Sequence, residues 1–419
     1  MTTTVGYHTG MLAQHPLLCI ISSGLRSICM ALVISACGSN QENLHVPLQD
    51  RESRETLRLA TFNVAMGRSH EGELTQALQQ QSDTRLQALA AIIQEVRPDI
   101  LVLNEFDYDP AVDAPRLLRG NYLGRSQHGQ AAIDYPYYYR AGVNTGLESG
   151  LDLNGNGVLG EPEDAWGYGT FPGQYGMLVL SRFPVDPVRS RTFQKFAWAS
   201  LPAARVPLNP DATVYYPDEI WHQLRLSSKN NWDVAIDVEG RPLHLLVFHP
   251  TPPVFDGAEN RNGLRNFDEI RFWVEYLAPQ TATYLVDDQG RGGGLKLEQP
   301  FVIAGDFNAD PLDGDSMPGA VAQLLDHPRI NRRCIPFSNG AREATRLQGG
   351  KNRQHRGNPA SDTSDFNDEL TGNLRLDYLL PSAELNVSGC GVFWPAVGQA
   401  GHELIGFSDH RLVWLDIEW

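Results

Sequence analysis

Residues 300–311 read PFVIAGDFNADP, an apolar run that ends abruptly in polar residues. Its run of four apolar residues, FVIA, is typical of a strand that is buried on both faces of a sheet. Gly305 gives the backbone room to turn, and Asp306 and Asn308 follow two positions apart, so extended geometry places both side chains on one face. Asp and Asn also end strands by forming Asx turns with their own backbone. The stretch therefore predicts a buried strand that ends either in two site residues or in a turn.

Apolar strands elsewhere in the chain also end in polar residues. The β-rich segment 57–64, LRLATFNV, is predicted to end at Asn63, and the run ILVL ends at Asn104 and Glu105. A helix over 84–96, with apolar residues at helical spacing, separates the two strands and predicts a parallel β-α-β unit. Similar patterns predict a helix at 269–277 and further strands at 176–180, 243–248, 300–306, 376–380 and 412–417.

The composition is that of a globular chain with an excess of acidic residues. The 419 residues are 42% hydrophobic, which is ample for a packed core. The 50 acidic and 34 basic residues give a net charge of -16, which disfavours a protein that neutralises many nucleic-acid phosphates. A divalent cation would offset this charge locally, so nucleic acid stays an alternative substrate. We expect one domain over 57–419, with long insertions near 107–173 and 186–240.

Residues 1–36 have the charge and hydropathy pattern of an export signal. They contain one basic residue, Arg26, and no acidic residue, and the run SICMALVISAC that follows is too short to span a bilayer. Its last four residues, ISAC, resemble the lipobox of bacterial lipoproteins, which implies acylation of Cys37. A plain secretory signal or a true start at Met11 is the alternative. The polar residues 37–56 would form a tether.

The signal predicts where the protein resides and how its cysteines pair. We expect an exported protein, lipid-anchored in the bacterial envelope at the periplasm or cell surface, which contacts the membrane only through the anchor and is a monomer. Once the signal leaves and Cys37 carries lipid, only Cys334 and Cys390 remain. Two cysteines in an exported chain predict one disulfide, and two buried free thiols are the alternative.

Seven short stretches carry a resemblance to a known family. In chain order they are TFNV, LNEF, GMLVLSR, FHPTPP, GDFNADP, RLDYLL and FSDHRLV, spread over 57–419. Together they resemble the endonuclease/exonuclease/phosphatase superfamily, which includes pancreatic-type deoxyribonucleases, abasic-site endonucleases, neutral sphingomyelinases and inositol polyphosphate phosphatases. The resemblance implies an α/β fold, a four-layer sandwich of two mixed β-sheets flanked by helices. It also implies hydrolysis of a phosphoester by in-line attack of water, with Mg²⁺ or Mn²⁺ as cofactor.

The resemblance implies a metal site and a set of catalytic residues. Glu105 would be the main metal ligand, with Asn63 beside it and Asp409 nearby, and hard oxygen donors of this kind suit Mg²⁺. The catalytic set would shield charge on the phosphate, aim the water and assist the leaving group. Asp306 would orient the water, and Asn308 would donate its amide to a phosphate oxygen. Asp377 would hold His410 against the phosphate. His249 would act as the acid toward the leaving group.

Each of these residues also has a structural explanation. The asparagines can be turn residues, the carboxylates can be caps or ion-pair partners, and His249 can be a packed histidine before a proline. One position departs from deoxyribonuclease-like members, in which a Glu supports the first histidine, because Gln174 stands there. Gln carries no charge, so His249 is expected to be less basic than in those relatives.

Residues 152–163, DLNGNGVLGEPE, match the template of a calcium loop. Gly157 stands at position six, where such loops turn sharply. The alternative is a solvated Asn-Gly turn. The proline before the last residue argues against a true EF-hand, so we expect an EF-hand-like loop with a structural Ca²⁺. The candidate ligands are Asp152, Asn154, Asn156, Val158 and Glu163.

Two arginines follow His249 in a polar segment and are candidate substrate ligands. Arg261 and Arg265 could fork onto a phosphate. Alternatively they are solvated or pair with Glu259 and Asp268.

The leading prediction is an exported, metal-dependent phosphoesterase acting on a phosphodiester or phosphomonoester. An extracellular endonuclease of the deoxyribonuclease type is the enzymatic alternative, disfavoured by the net charge. A non-catalytic surface binding protein on the same scaffold is the third hypothesis, which metal-dependent turnover would exclude.

Overall fold

Residues 56–419, the part of the chain that this computed structural model describes, contain thirteen strands and seven α-helices. The strands are β1 (Thr56–Asn63), β2 (Ile100–Asn104), β3 (Tyr137–Tyr139), β4 (Met177–Ser181), β5 (Val185–Thr192), β6 (Asn231–Val238), β7 (Arg241–Phe248), β8 (Phe301–Asp306), β9 (Ser364–Asp365), β10 (Asn373–Leu374), β11 (Asp377–Pro381), β12 (Val387–Val392) and β13 (Val413–Glu418). The helices are α1 (Glu73–Gln80), α2 (Thr84–Val96), α3 (Ala114–Leu118), α4 (Asp218–Trp221), α5 (Arg261–Tyr276), α6 (Ala322–Leu325) and α7 (Asn339–Gln348).

Eleven of these strands form two mixed sheets. The first sheet has the order β12-β13-β1-β2-β4-β3, and the second has the order β11-β8-β7-β6-β5. Each sheet contains one parallel pair, β1 with β2 and β7 with β8, and its other neighbours are antiparallel. The first and last strands of the described chain are neighbours, with Thr56 opposite Glu418. The predicted α/β fold with two mixed sheets is confirmed.

Helix α2 packs into the same hydrophobic core as the first sheet and has the predicted bounds. Asp83 caps its start, since Oδ1 accepts the backbone N–H groups of Arg85 and Leu86 at 2.9 and 3.0 Å. Leu89 and Ile93, one helical turn apart, are fully buried against the same core as β1 and β2.

Alternate residues of β7 show how the second sheet lies between two layers. Leu245 and Val247 belong to the core that it shares with the first sheet, whereas Leu246 and Phe248 belong to a second core. Helix α5 supplies Trp273 to that second core. Burial of each side chain of this size stabilises the folded state by about 1.5–3 kcal/mol, so both faces of the sheet contribute to stability.

Several elements differ from the sequence prediction. The segments expected as insertions, 107–173 and 186–240, contain β3, most of β5 and β6, which are strands of the two sheets. The sequence of β5 does not alternate between apolar and polar residues, because this edge strand shifts its register against β6 between Asp186 and Arg191. Helix α5 begins at Arg261, eight residues before the expected 269, because its first turns are polar and lack apolar spacing.

Cys334 and Cys390 form a disulfide, with their Cα atoms 6.2 Å apart. It ties the segment before α7 to β12, at the edge of the first sheet. The predicted signal over 1–36, the acylated Cys37 and the tether at 37–56 lie outside the described residues, except for Thr56, which begins β1. Within 56–419, no helix is long and apolar enough to cross a membrane.

Candidate functional site

The two sheets meet at the ends of β1, β2 and β8, where side chains bond across the gap between them. Asn104 accepts the backbone N–H of Asp306 at its Oδ1 atom (3.1 Å). Asn63 donates its amide Nδ2 to Asp306 Oδ2 and to Glu105 Oε1, at 3.0 Å each. These bonds place two carboxylates from different sheets on one rim, which we call the catalytic rim.

Gly305 allows β8 to reach this position. Its backbone has a φ of 150°, and a Cβ atom there would lie 2.0 Å from the carbonyl oxygen of Phe248 on β7. A side chain at this position would therefore push the two parallel strands apart and move Asp306 away from the rim.

Asp306 and Asn308 form an Asx turn and still face the rim. Asn308, with a φ of 50°, donates its backbone N–H to Asp306 Oδ1 at 2.8 Å. This leaves Asp306 Oδ2 for the residues of the rim. The amide Nδ2 of Asn308 donates to the carbonyl of Pro250 at 3.1 Å and has a second hydrogen to offer. The predicted turn is therefore present, and the site roles of the two residues stay predictions.

Two buried carboxylates lie beside His410, the histidine of the stretch FSDHRLV. His410 Nδ1 lies 2.8 Å from Asp377 Oδ2, and its Nε2 lies 3.6 Å from Asp306 Oδ2. Thr363 donates its hydroxyl to Asp377 Oδ2 at 2.8 Å, which orients that carboxylate. Burial alone would lower the pKa of His410, but the charges of Asp377 and Asp306 raise it to about 10. His410 is therefore an imidazolium at neutral pH.

Asp306 is poised to accept a proton. Burial raises its pKa to about 6, although the charge of His410 and the amide of Asn63 act in the opposite direction. A carboxylate with a pKa close to neutral pH is a suitable general base for water.

His249 also faces Asp306, with its Nε2 atom 3.5 Å from Oδ2. Burial and then the cations Lys229 and His410 lower its pKa well below the ordinary value. The expectation of a less basic His249 rested on Gln174, but that amide is bonded to the backbone of Thr170 and Arg68 instead, at 2.7 and 2.6 Å. A neutral imidazole can donate an N–H group to a leaving oxygen, and the role of His249 as the acid stays a prediction.

Glu105 has the geometry of a metal ligand. Its φ of 57° is unusual for a residue of its size, and Met66 fixes the turn by donating its backbone N–H to the Glu105 carbonyl at 2.9 Å. Oε1 accepts from Asn63, whereas Oε2 has no hydrogen-bond or ion-pair partner among residues 56–419. Burial raises its pKa, as expected for a carboxylate that lacks a cation.

The other predicted metal ligands are placed differently. Asn63 turns its amide nitrogen to Glu105 and so orients the carboxylate. Its oxygen accepts the N–H of Ala65 at 3.1 Å and keeps a second lone pair, so its role as a metal ligand stays a prediction. Asp409 is exposed beside the rim. Donor atoms of Asp306, Asp377 and His410 lie within 4.8 Å of one another and could share an ion. While His410 carries both protons it has no lone pair for a metal, whereas Glu105 offers a carboxylate oxygen of the kind that divalent cations bind.

The two candidate arginines do not face the rim. Arg261 forms an ion pair with Glu259, which was the alternative interpretation. Arg265 donates to the backbone carbonyls of Leu226, Trp166 and Arg225, at 2.9, 2.7 and 2.8 Å. The Nε and Nη2 atoms of Arg265 therefore bond to backbone inside the protein and are not available to a phosphate.

The calcium-like loop is closed by its own hydrogen bonds. Asp152 accepts the backbone N–H groups of Gly155 and Gly157 at 2.7 and 2.8 Å. Glu161, rather than the predicted Glu163, meets the loop asparagines, since Asn156 donates Nδ2 to its Oε2 at 2.5 Å. Glu163 is exposed. The predicted Ca²⁺ site stays a prediction, and Glu161 is a second candidate for its last ligand beside Glu163.

Sequence reasoning missed two residues near the rim. Thr363 orients Asp377, and a lone threonine carries no signal of such a role. Lys229 stands just before β6, which runs antiparallel to β7 and pairs Asn231 with Phe248. The sequence patterns point to residues at the ends of strands, but an antiparallel strand begins where its neighbour ends, and this rule places Lys229 near the same rim.

Comparisons with known proteins identify the family of this chain. A family model described as the Endonuclease/Exonuclease/phosphatase family matches residues 60–410. No curated protein matches the chain. A solved endonuclease/exonuclease/phosphatase from Beutenbergia cavernae is 18% identical, with a TM-score of 0.47, over 87% of this chain and 72% of that one. Sphingomyelinase C from Streptomyces griseocarneus is 15% identical, with a TM-score of 0.44, over 86% of this chain and 99% of that one.

These identities are low, and the family assignment rests on the family model. That match runs from β1 to His410 and so includes every strand that borders the catalytic rim. The chain belongs to the endonuclease/exonuclease/phosphatase family.

Proposed function

We propose that the protein is an exported, divalent-metal-dependent phosphoesterase that hydrolyses a phosphodiester or phosphomonoester by in-line attack of water. Members of the family are generally phosphoester hydrolases, which supports the reaction class. The observation that carries the proposal is Asp306, whose Oδ2 atom lies 3.5 Å from His249 and 3.6 Å from His410 at a rim built by both sheets.

The side chains of the rim supply complementary steps. Asp306, with a pKa of about 6, accepts the proton of the attacking water. His410, kept charged by Asp377, attracts a non-bridging oxygen of the phosphate. The second amide hydrogen of Asn308 is available to the same group, and neutral His249 donates a hydrogen bond toward the leaving oxygen.

Glu105 and Asp409 would hold Mg²⁺ or Mn²⁺. When bound, such an ion neutralises charge on the phosphate and orients it. The orphaned Oε2 of Glu105 and the raised pKa of that carboxyl group support a cation at this place.

The net charge of the chain supports a choice between substrate classes. The net charge of -16 favours a small phosphoester or a phospholipid headgroup over a nucleic acid, which would be repelled at a distance. An extracellular endonuclease is the competing proposal, and a scaffold that binds without turnover is the non-enzymatic one.

Export and anchoring are a separate part of the proposal. The signal-like residues 1–36 and the lipobox-like ISAC before and at Cys37 support a lipid anchor in the bacterial envelope. Metabolic labelling with a radioactive fatty acid, compared between wild type and Cys37→Ala, tests this, because only an acylated wild type would retain the label.

The function is tested with purified protein, with Mg²⁺ and with a chelator. Plasmid DNA, a nitrophenyl phosphate diester, the corresponding monoester and a phosphocholine lipid are assayed in parallel. Asp306→Asn removes the base and should lower turnover by about 10²–10⁴-fold. Asp211→Asn, at an exposed position in a loop, is the matched control and should retain full activity.

Each outcome has a defined meaning. Metal-dependent cleavage of a small ester or lipid that Asp306→Asn abolishes supports the proposal. Nicked plasmid would make the protein a nuclease despite its charge. Absence of metal-dependent turnover on every substrate, in a folded protein that binds them, would favour the non-catalytic alternative.

A further inference from the structure

The segment 329–356 is strongly basic, although the chain as a whole is acidic. It contains eight basic residues and one acidic residue, a net charge of +7, whereas the whole chain carries -16. The rest of the chain therefore has 26 basic and 49 acidic residues. A patch of one sign on a protein of the opposite sign indicates a surface for a charged partner.

Three arginines of this segment form one face of α7 and of the turn after it. Arg342 and Arg346 stand four residues apart on the helix, so their side chains leave the same side, and both are exposed. Gly349 follows three positions later and keeps the helical bond, since it donates its backbone N–H to the carbonyl of Thr345 at 3.2 Å. The guanidinium of Arg353 lies against this glycine, where a Cβ atom would stand 2.8 Å from its Nη2 atom. We call Arg342, Arg346 and Arg353 the basic face.

The basic face has no anionic partner inside the described protein. Among residues 56–419, none of its three guanidinium groups has a hydrogen bond or a carboxylate oxygen within 4 Å. Like charges at this helical spacing destabilise the helix unless an anion compensates them. Glu343, the one acidic residue of the segment, accepts the backbone N–H of Val397 at 2.7 Å instead of pairing with the arginines. The basic face is therefore available to an anionic partner.

The end of α7 is tied to the catalytic rim. Gln348 donates Nε2 to Asp365 Oδ1 at 2.7 Å, and Asp365 donates its backbone N–H to the carbonyl of Asp409 at 2.7 Å. Arg411 occupies the other oxygen of Asp365, at 2.8 Å. A partner that binds the basic face would therefore be held next to the rim.

An anionic lipid surface fits this face better than a nucleic acid does. The 49 acidic residues outside the segment would repel a long polyanion that continues beyond the face, whereas a planar surface meets the protein on one side only. Leu347, next to Arg346, is 60% exposed, and an apolar side chain among cations suits the boundary between headgroups and acyl chains. A nucleic-acid backbone offers no such apolar layer.

We propose that the basic face binds a membrane surface that carries anionic phospholipids, with its three arginines on headgroup phosphates and Leu347 in the apolar boundary. The inference goes beyond the proposed reaction and does not depend on it, because binding to lipid requires no turnover. It also differs from the proposed anchor, which is a covalent acyl chain at Cys37. Each cation near an anionic bilayer adds to the attraction by the negative surface potential, and salt screens this attraction.

Sedimentation with vesicles measures the binding, and every protein carries Cys37→Ala, so that no acyl chain contributes. Vesicles of phosphatidylcholine alone are compared with vesicles of equal parts phosphatidylcholine and phosphatidylglycerol. Arg342→Gln combined with Arg346→Gln should bind the anionic vesicles roughly 25-fold more weakly, at about fivefold for each cation removed. Arg342→Lys combined with Arg346→Lys keeps the charge and should bind like the parent protein.

Two controls separate the basic face from net charge and from nucleic-acid binding. Arg116→Gln combined with Arg125→Gln removes the same charge at exposed arginines elsewhere and should bind vesicles like the parent protein. Leu347→Ser should weaken binding to anionic vesicles, because it removes the apolar side chain and no charge. A duplex oligonucleotide is titrated into the same proteins to test the competing partner.

The outcomes distinguish this inference from the proposed reaction. Binding that requires phosphatidylglycerol, falls with salt and is lost in the glutamine variant supports it. Equal binding by the parent and the glutamine variant, equal binding to both kinds of vesicle, or binding of the oligonucleotide without binding of vesicles would overturn it.

Turnover of a soluble nitrophenyl ester completes the test. It should be the same in the parent and the glutamine variant, because the basic face lies outside the catalytic rim. Loss of this turnover in the glutamine variant would place the arginines at the reaction and overturn the inference. If the parent hydrolyses no ester, the phosphoesterase proposal fails, and sedimentation still decides whether the basic face binds lipid.

Discussion

Asn104 Oδ1 accepts the backbone N–H of Asp306 at 3.1 Å, and this bond joins β2 of the first sheet to β8 of the second. Asn104 is fully buried, and Asp306 is 1% exposed. The position of the proposed base therefore depends on a residue of the opposite sheet.

Asn104→Ala should lower both stability and turnover. The substitution leaves the buried N–H of Asp306 without an acceptor, which costs about 1–3 kcal/mol, and it frees the base to move. Urea unfolding and kcat measure the two effects. Thr61→Val is the control, because it removes a buried hydroxyl of the same sheet that has no hydrogen-bond partner. Equal activity of Asn104→Ala and wild type would show that the bond does not position Asp306.

Asp377→Asn should shift the pH dependence of the reaction. In wild type the pKa of His410 is about 10, so the imidazolium persists well above neutral pH. Loss of the Asp377 charge lowers that pKa, and the alkaline fall of kcat/KM should move to lower pH. Thr363→Val removes the hydroxyl that donates to Asp377 Oδ2 and accepts the backbone N–H groups of Leu376 and Asp377. It removes no charge, so its alkaline limb should stay close to that of wild type.

The same pair makes a prediction for stability. The folded pKa of His410 is raised above its unfolded value, so the pair stabilises the fold fully below about pH 6.5, and this contribution is lost as pH rises toward 10. The difference in free energy of unfolding between wild type and Asp377→Asn should shrink over this range. A difference that is constant from pH 7 to 10 would mean that the interaction does not involve a charged His410.

The disulfide should contribute to stability and leave the chemistry intact. Replacing Cys334 and Cys390 by alanine should reduce the free energy of unfolding by about 2–4 kcal/mol, since the bond closes a long loop in the unfolded chain. Urea unfolding measures this loss, and reduced wild type should show a similar one. Turnover at low temperature should be unchanged, because no residue of the catalytic rim lies on β12 or in the segment before α7.

The calcium-like loop should be tested through its two glutamates. If the loop follows the template of the sequence, Glu163→Gln should abolish the Ca²⁺ heat that calorimetry measures on metal-free protein. If the contacts of Glu161 with the asparagines describe the site, Glu161→Gln should abolish it instead. A wild type that takes up no Ca²⁺ would reduce the loop to a hydrogen-bonded turn.

Strong local signals explain what could be predicted from the sequence. Helix α2 has the predicted bounds because its apolar period, its Asp83 cap and the proline after Arg97 all agree. The strands that end at Asn63, Asn104 and Asp306 were found because a long apolar run stops abruptly at a polar residue.

The remainder depends on partners that are distant in sequence. Arg265 looks like a phosphate ligand until its backbone acceptors, which come from two other segments, are known. Asn63 has the side chain of a metal ligand, but the direction of its amide is set by Asp306 on the other sheet. Lys229 lies at the rim only because β6 is antiparallel to β7, and a short stretch of sequence does not specify that pairing.

The pairing of β1 with β13 has a consequence for how the domain can be rearranged. Because Thr56 lies opposite Glu418, a linker of a few residues could join the two ends of the domain. New ends could then be opened in the exposed loop at Asp211, far in sequence from every side chain of the rim. A circularly permuted domain of this kind should retain its site, since the order of the strands in space, and not their order along the chain, brings these residues together.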